Sequence, residues 1–165
     1  MFRQLADDIA ASSISNTVQN ALWVVPASQS VHILGVSLLF TSAMMINLRL
    51  LGIGARGRSV SSLVETLAPW MWRALLVCFV TGTIQTIAEP VRQFITPIYW
   101  WKLLLIVTMA LLTVWLFRTV RHNSALWDSV ERPPVARVFA VVSSLAWITV
   151  IVFGRFIAYV WAYYK

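Results

Sequence analysis

Long stretches of the chain carry almost no charge. Between Ile9 and Leu48 the only ionisable side chain is that of His32, and three further charge-free segments follow: Ala74 to Ala88, Leu103 to Phe117 and Val138 to Gly154. Flanking aromatic and basic residues extend these segments to the interface, which predicts helices at about 27–50, 68–89, 97–119 and 135–162. A helix of about 20 apolar residues crosses the hydrocarbon core. The pattern therefore predicts an all-α integral membrane protein, an antiparallel bundle of four transmembrane helices.

The segment before the first span has a different pattern. Apolar residues recur at intervals of three to five among serines, asparagine and threonine: Ile9, Ile14, Val18, Leu22 and Val25. This spacing predicts an amphipathic helix that lies in the membrane interface and ends near Pro26. We therefore expect two parts, an interfacial helix in 1–26 and a transmembrane domain in 27–165.

Composition excludes a soluble domain. Hydrophobic residues make up 59% of the chain, charged residues 12%, and the mean hydropathy is +0.77, whereas soluble domains have about 25% charged residues. The net charge of +7 is explained by arginines in loops that face anionic lipid. We therefore expect the lipid bilayer as the partner and no nucleic acid.

The basic residues are divided unequally between the two ends of the predicted bundle. Arg3, Arg92, Lys102, Arg155 and Lys165 belong to one end, and the loops after the first and third spans hold Arg49, Arg56, Arg58, Arg73, Arg118, Arg121, Arg132 and Arg137. Cytoplasmic loops carry the excess of Lys and Arg in membrane proteins. This predicts Arg-rich loops inside and both termini outside.

Several polar side chains fall at the opposite end, at membrane depth or at its edge. Helix rise places them in one layer, which we call the outer polar layer: His32, Gln85, Glu89, Lys102 and Arg155. On the second span, a stripe of small and polar residues leads to the carboxylate at three- and four-residue spacing: Cys78, Thr81, Gly82, Gln85 and Glu89. Ionisable groups at such depth are functional candidates because burying a charge is costly.

Two hypotheses concern individual residues of this layer. Arg155 is expected to pair with Glu89, either as a purely structural salt bridge or as part of a site, because a guanidinium matches a carboxylate better than the ammonium of Lys102 does. His32 either bonds a neighbouring helix or acts as a haem ligand or proton carrier. The other histidine, His122, is expected at the far end of the bundle, so any haem would need an unusual axial partner or a second copy of the chain.

Motifs of soluble enzymes do not occur in the sequence. It contains no phosphate-binding glycine loop, no paired cysteines with zinc spacing and no nucleophile elbow. We therefore expect no metal site of that kind, and the sequence identifies no catalytic residue.

Five segments carry a resemblance: PASQSVHILG (26–35), NLRLLG (47–52), PWMWRALLVCFVTGTIQTIAEP (69–90), IYWWKLLLI (98–106) and FGRFIAY (153–159). They resemble an uncharacterised family of small bacterial inner-membrane proteins with four spans. More remotely, a histidine early in span one, an arginine at its far end and a Trp-Lys pair opening span three are similar to copper-resistance membrane proteins and to the haem-associated membrane protoporphyrinogen oxidase. This resemblance implies that His32 and Lys102 match motif residues near haem or copper, and it implies a bacterial inner membrane.

Two functions are consistent with these features. One is a small redox component that handles haem b or quinone, with His32 as ligand or proton carrier, Glu89 as proton acceptor and Arg155 holding it charged. The other is a transport, channel or accessory subunit in which the outer polar layer lines a path. Four short spans leave little room for a pore within a single copy of the chain, so the second function implies a homo-oligomer or a larger membrane complex.

Overall fold

The computed structural model describes residues 2–54, 57–129 and 133–160, and helices dominate this part of the chain. Four helices are long: α3 (Val24–Leu51), α4 (Val60–Ala88), α6 (Pro97–His122) and α8 (Pro134–Val160). Four are short: α1 (Phe2–Ala10), α2 (Ser13–Asn20), α5 (Pro90–Ile95) and α7 (Ser124–Asp128). Each long helix is long and apolar enough to cross a membrane, which confirms the predicted all-α fold with four membrane helices.

The four long helices form a ring in which α3 packs most extensively on α4. Helix α8 contacts both α3 and α6, whereas α6 packs only loosely on α4. Close packing of α3 on α4 depends on Gly35, because a Cβ atom there would lie 2.9 Å from the Sγ atom of Cys78. Small residues allow such close approach of helices within membranes.

Buried apolar side chains are concentrated in the half of the bundle that carries the Arg-rich loops. The end of α3 packs against the start of α4 there, through Leu50, Val60 and Leu63, which are almost completely buried. The amide of Asn47 on α3 donates to the hydroxyls of Ser143 and Ser144 on α8 at 3.1 Å each. The apolar core thus stabilises one half of the bundle, and the outer polar layer belongs to the other half.

The second long helix starts eight residues before its predicted start at 68, and Pro69 lies inside it. Ser59 caps the helix by accepting a hydrogen bond from the Ser62 amide, and the Asp128 carboxylate accepts one from the Ser61 amide. These bonds satisfy amides of the first turn that otherwise lack partners. Capping, together with the burial of the first turn, outweighs the cost of Pro69 inside the helix.

The last predicted residues of the fourth span, 161 and 162, lie outside the described residues.

The N-terminal segment forms two helices rather than one. Ser12 separates them, because its hydroxyl donates to the Ile9 carbonyl and accepts from the Ser15 amide. The predicted break near Pro26 lies instead at residues 21–23, and Pro26 is the third residue of α3, where a missing amide proton costs little. Ile14 is exposed, so its side chain is free to face lipid, and the interfacial position of this segment stays a prediction.

Helix α2 turns its polar side toward the bundle. The Ser15 hydroxyl donates to the Ile87 carbonyl at 2.8 Å, and the Gln19 amide donates to the Ala88 carbonyl at 2.9 Å. Both acceptors belong to the last turn of α4, whose carbonyls have no partner within the helix. The polar side of α2 therefore covers the C-terminal end of α4.

Candidate functional site

The His32 ring on α3 is held by Thr81 on α4. Its Nδ1 atom lies 2.8 Å from the Thr81 hydroxyl oxygen, and that hydroxyl donates its own proton to the Val77 carbonyl at 2.7 Å. Because the threonine proton is already used, the Thr81 oxygen accepts the bond and His32 carries a proton on Nδ1. In the neutral ring the lone pair then belongs to Nε2, the nitrogen turned away from Thr81.

Two small residues of α4 lie against His32. A Cβ atom on Gly82 would lie 3.6 Å from the Cε1 atom of His32, so the ring rests over the turn that contains Thr81 and Gly82. The Cys78 thiol lies 3.9 Å from the His32 carbonyl oxygen. Sequence analysis placed Cys78, Thr81 and Gly82 on one stripe of the second span, and the structure brings that stripe against His32.

Lys102 extends from α6 toward the same end of the bundle. Its Nζ atom lies 3.6 Å from the position that a Cβ atom of Gly154 on α8 would occupy. Within the described residues, no carboxylate forms a salt bridge with Lys102. We call His32, Cys78, Thr81 and Lys102 the His32 cluster.

Gln85 lies one helical turn beyond Thr81, and its Nε2 atom is buried without a hydrogen-bond partner. Ser28 lies one turn before His32, and its buried hydroxyl likewise has no partner. The sequence analysis included Gln85 but missed Ser28. The signal for Ser28 was its spacing of four residues from His32, which places both on one face of α3.

The predicted pairing of Glu89 with Arg155 is wrong. Glu89 forms a salt bridge with Arg92, three residues further along the chain. The exposed guanidinium of Arg155 instead donates to the Tyr159 hydroxyl at 3.1 Å and lies over that ring. The physical reason is local, because Glu89 ends α4 and precedes α5, so the first turn of α5 brings Arg92 to the carboxylate before any other helix can.

The outer polar layer is thus divided. His32 and Lys102 lie at one end of the bundle, Gln85 lies one turn beyond Thr81, and Glu89 and Arg155 make separate contacts within their own segments. Among the described residues no group of three or more His, Cys, Asp or Glu side chains could hold a metal ion. Within the part of the chain that the structure describes, the site offers one oriented imidazole and one ammonium without a carboxylate partner.

Comparison with known proteins gives a family and no activity. A family model described as a family of unknown function (DUF6644) matches residues 12–160, so the chain belongs to that family. This confirms the expected membership of an uncharacterised family. No curated protein and no solved structure matches the chain, and the remote similarity to copper-resistance proteins and to protoporphyrinogen oxidase stays a prediction.

Proposed function

We propose that this member of the DUF6644 family is a small redox-type component of a bacterial inner membrane that handles a haem or a quinone at the His32 cluster. One observation carries the proposal. The imidazole of His32 is oriented by Thr81 so that Nε2 presents its lone pair, and the ammonium of Lys102 lies at the same end of the bundle, against Gly154 of α8.

The residues present fit a haem b. Histidines that bind metals usually donate their other ring proton to a neighbouring group, which fixes the ring and the tautomer, and the bond from His32 to Thr81 has this form. His32 Nε2 would bind the iron, and Lys102 would pair with a propionate carboxylate. A bound haem would supply one-electron chemistry, and a second copy of the chain would supply a further residue to hold it.

A quinone fits the same two groups. In this case the lone pair of His32 Nε2 would accept a hydrogen bond from a quinol hydroxyl, and the Lys102 ammonium would donate one to the other ring oxygen. Both ligands are planar and redox-active. They differ in the partners they need beyond His32 and Lys102.

The position in the membrane is part of the proposal. The Arg-rich end of the bundle is placed in the cytoplasm because basic loops are retained there, so the His32 cluster belongs to the outer half and both termini lie outside. Three of the basic residues counted above lie outside the described residues: Arg56, Arg132 and Lys165. The remaining arginines keep the same bias toward the end that holds Arg118 and Arg121.

Purification in mild detergent tests the proposal directly. The absorbance spectrum reports haem through its Soret band, and chromatography of an organic extract reports quinone. We expect one of the two in the wild type and its loss in His32→Gln, while His122→Gln at the far end of α6 retains it. A wild-type protein without either ligand, and without affinity for added haem or quinone, would overturn the redox proposal and favour the transport or accessory role.

A further inference from the structure

A groove between α6 and α8 lies apart from the His32 cluster. Its volume is about 350 Å³. Residues at helical spacing on both helices form its walls, among them Met109, Leu112 and Trp115 on α6 and Val138, Phe139 and Val142 on α8. The side chains of Val138 and Val142 are 62% and 49% exposed, so the groove opens on the outside of the bundle. In a bundle that crosses a membrane, this outside faces lipid.

The walls of this groove are apolar. Ser143 is the one polar residue among the described residues that line it, and its hydroxyl oxygen already accepts a hydrogen bond from the Asn47 amide at 3.1 Å. The Trp115 ring packs on Phe139 with 6.3 Å between the ring centroids, which joins the two walls toward the Arg-rich end. Burying a polar group without a partner is costly, so walls of this kind match a hydrocarbon chain.

The groove leads toward two arginines at the Arg-rich end. Met109, Leu112 and Trp115 follow one another at a spacing of three residues, and the same row continues in Arg118 and Arg121. Residues three apart are neighbours on a helix surface, and helix rise places Arg118 roughly 4.5 Å beyond Trp115 along the axis. Both arginines are exposed, and neither forms a salt bridge with a carboxylate of the described residues. An apolar groove thus ends beside unpaired cations.

We infer that this groove binds an anionic phospholipid, with one acyl chain between α6 and α8 and the headgroup phosphate at Arg118 and Arg121. Arginines at the end of a membrane helix extend their charge to the level of the lipid headgroups. A guanidinium donates two parallel hydrogen bonds to a phosphate, and basic pockets between membrane helices are known to recognise anionic headgroups. The inference is independent of the ligand proposed for the His32 cluster.

Charge favours a lipid over a second copy of the chain in this groove. Two copies in one membrane have the same orientation, so their Arg-rich ends lie at the same depth and repel each other. A phospholipid brings the opposite charge to Arg118 and Arg121 and a chain that the apolar walls accept. The test below separates these two occupants.

The test compares two lipids that have the same acyl chains. Purified full-length protein in mild detergent is titrated with dioleoyl phosphatidylglycerol or with dioleoyl phosphatidylcholine while the melting temperature is measured. A ligand that binds only the folded state raises the melting temperature in a concentration-dependent way, which gives an apparent Kd. We expect the anionic lipid to bind more tightly, and we expect Arg118→Gln to weaken its binding about fivefold, the contribution of one basic residue near an anionic surface.

Matched variants separate the groove from the rest of the surface. Arg137 is exposed at the same end, but it lies two residues after Val135, roughly 200° around α8, so Arg137→Gln should leave the apparent Kd unchanged. Val142→Phe narrows the groove and should weaken the binding of both lipids. Val141→Phe, at an exposed position that does not line the groove, should not. If Val142→Phe does not fold, Val138→Phe at a more exposed position replaces it.

Four results would overturn the inference. Equal affinity for the two lipids, unchanged in Arg118→Gln, would mean that no headgroup is recognised. Unchanged binding in Val142→Phe and Val138→Phe would place the acyl chain elsewhere on the surface. Equal stabilisation by inorganic phosphate would mean an anion site without a lipid. Conversion of a dimer to a monomer by Val142→Phe, with no effect of either lipid, would assign the groove to a second copy of the chain.

Discussion

Thr81 accepts a hydrogen bond from the His32 ring at 2.8 Å while donating its own proton to the Val77 carbonyl. One threonine therefore joins two helices and selects the tautomer of the histidine. The arrangement needs nothing outside α3 and α4, so the ring is oriented before any ligand arrives. Such orientation reduces the cost of binding.

Replacing Thr81 with valine, which has nearly the same shape, removes this acceptor. We expect the His32 tautomer to shift from Nδ1–H toward a mixture, measured by ¹⁵N NMR of histidine-labelled protein in detergent. The loss of one hydrogen bond should lower the free energy of unfolding by about 0.5–1.5 kcal/mol. Thr83→Val is the matched control, because Thr83 is exposed and bonds only the Phe79 carbonyl of its own helix. An unchanged tautomer in Thr81→Val would contradict the role given to Thr81.

Substitution of His32 separates folding from ligand binding. Glutamine keeps a hydrogen-bonding group of similar reach, so His32→Gln should fold with a stability within about 1 kcal/mol of the wild type. It does not titrate, and it binds iron poorly, so bound haem or quinone should be lost. The measurement is the melting curve together with the absorbance spectrum and the quinone extract. If His32→Gln retains the ligand in full, His32 has only a structural role.

The four long helices could be predicted from the sequence because each one depends on the composition of its own segment. Charge-free segments located all four long helices, since water-excluded spans must be apolar. The start of α4 was mispredicted because it depends on a tertiary contact, the Asp128 carboxylate at the Ser61 amide, which overrides the signal of Pro69. Similarly, His32 could be singled out as an ionisable group, but its partner Thr81 required the register of two helices.

The salt bridge between Glu89 and Arg92 should contribute little to stability. Both side chains are partly exposed, and such pairs are worth about 0–1 kcal/mol. Glu89→Gln should therefore cost less than about 1 kcal/mol, rather than the 3–5 kcal/mol expected for a buried pair that loses one partner. Double-mutant cycles should give a coupling of Glu89 with Arg92 and none with Arg155. A large coupling with Arg155→Met would restore the pairing that the structure excludes.

Asp128 connects the pH dependence of stability to the capping of α4. Burial tends to raise the pKa of this carboxyl, but hydrogen bonds from the Ser61 hydroxyl and amide outweigh it and hold the pKa below its usual range. The carboxylate therefore stabilises the fold above its unfolded-state pKa of about 3.9, and the contribution is lost as pH falls through the lower folded value.

We expect the melting temperature of the wild type to decrease below about pH 4. Asp128→Ala should be less stable by about 0.5–2 kcal/mol at neutral pH, as other helix caps are, and should lose part of this acid dependence. Asp8→Asn, on the exposed surface of α1, provides the control. An identical acid profile in Asp128→Ala and wild type would exclude the cap as its source.

Orientation in the membrane determines which compartment the His32 cluster faces. Cysteines introduced singly into a Cys78→Ser background report it through labelling with a membrane-impermeant maleimide. Suitable sites are Asn20→Cys, exposed at the end of α2, and Gly57→Cys and Ser124→Cys, which lie in open or exposed positions at the Arg-rich end. Because basic loops are retained in the cytoplasm, only Asn20→Cys should react in intact spheroplasts, and the other two should react after lysis. The reverse pattern would place the Arg-rich end outside and the His32 cluster on the cytoplasmic side, where proton exchange at His32 would occur with the cytoplasm.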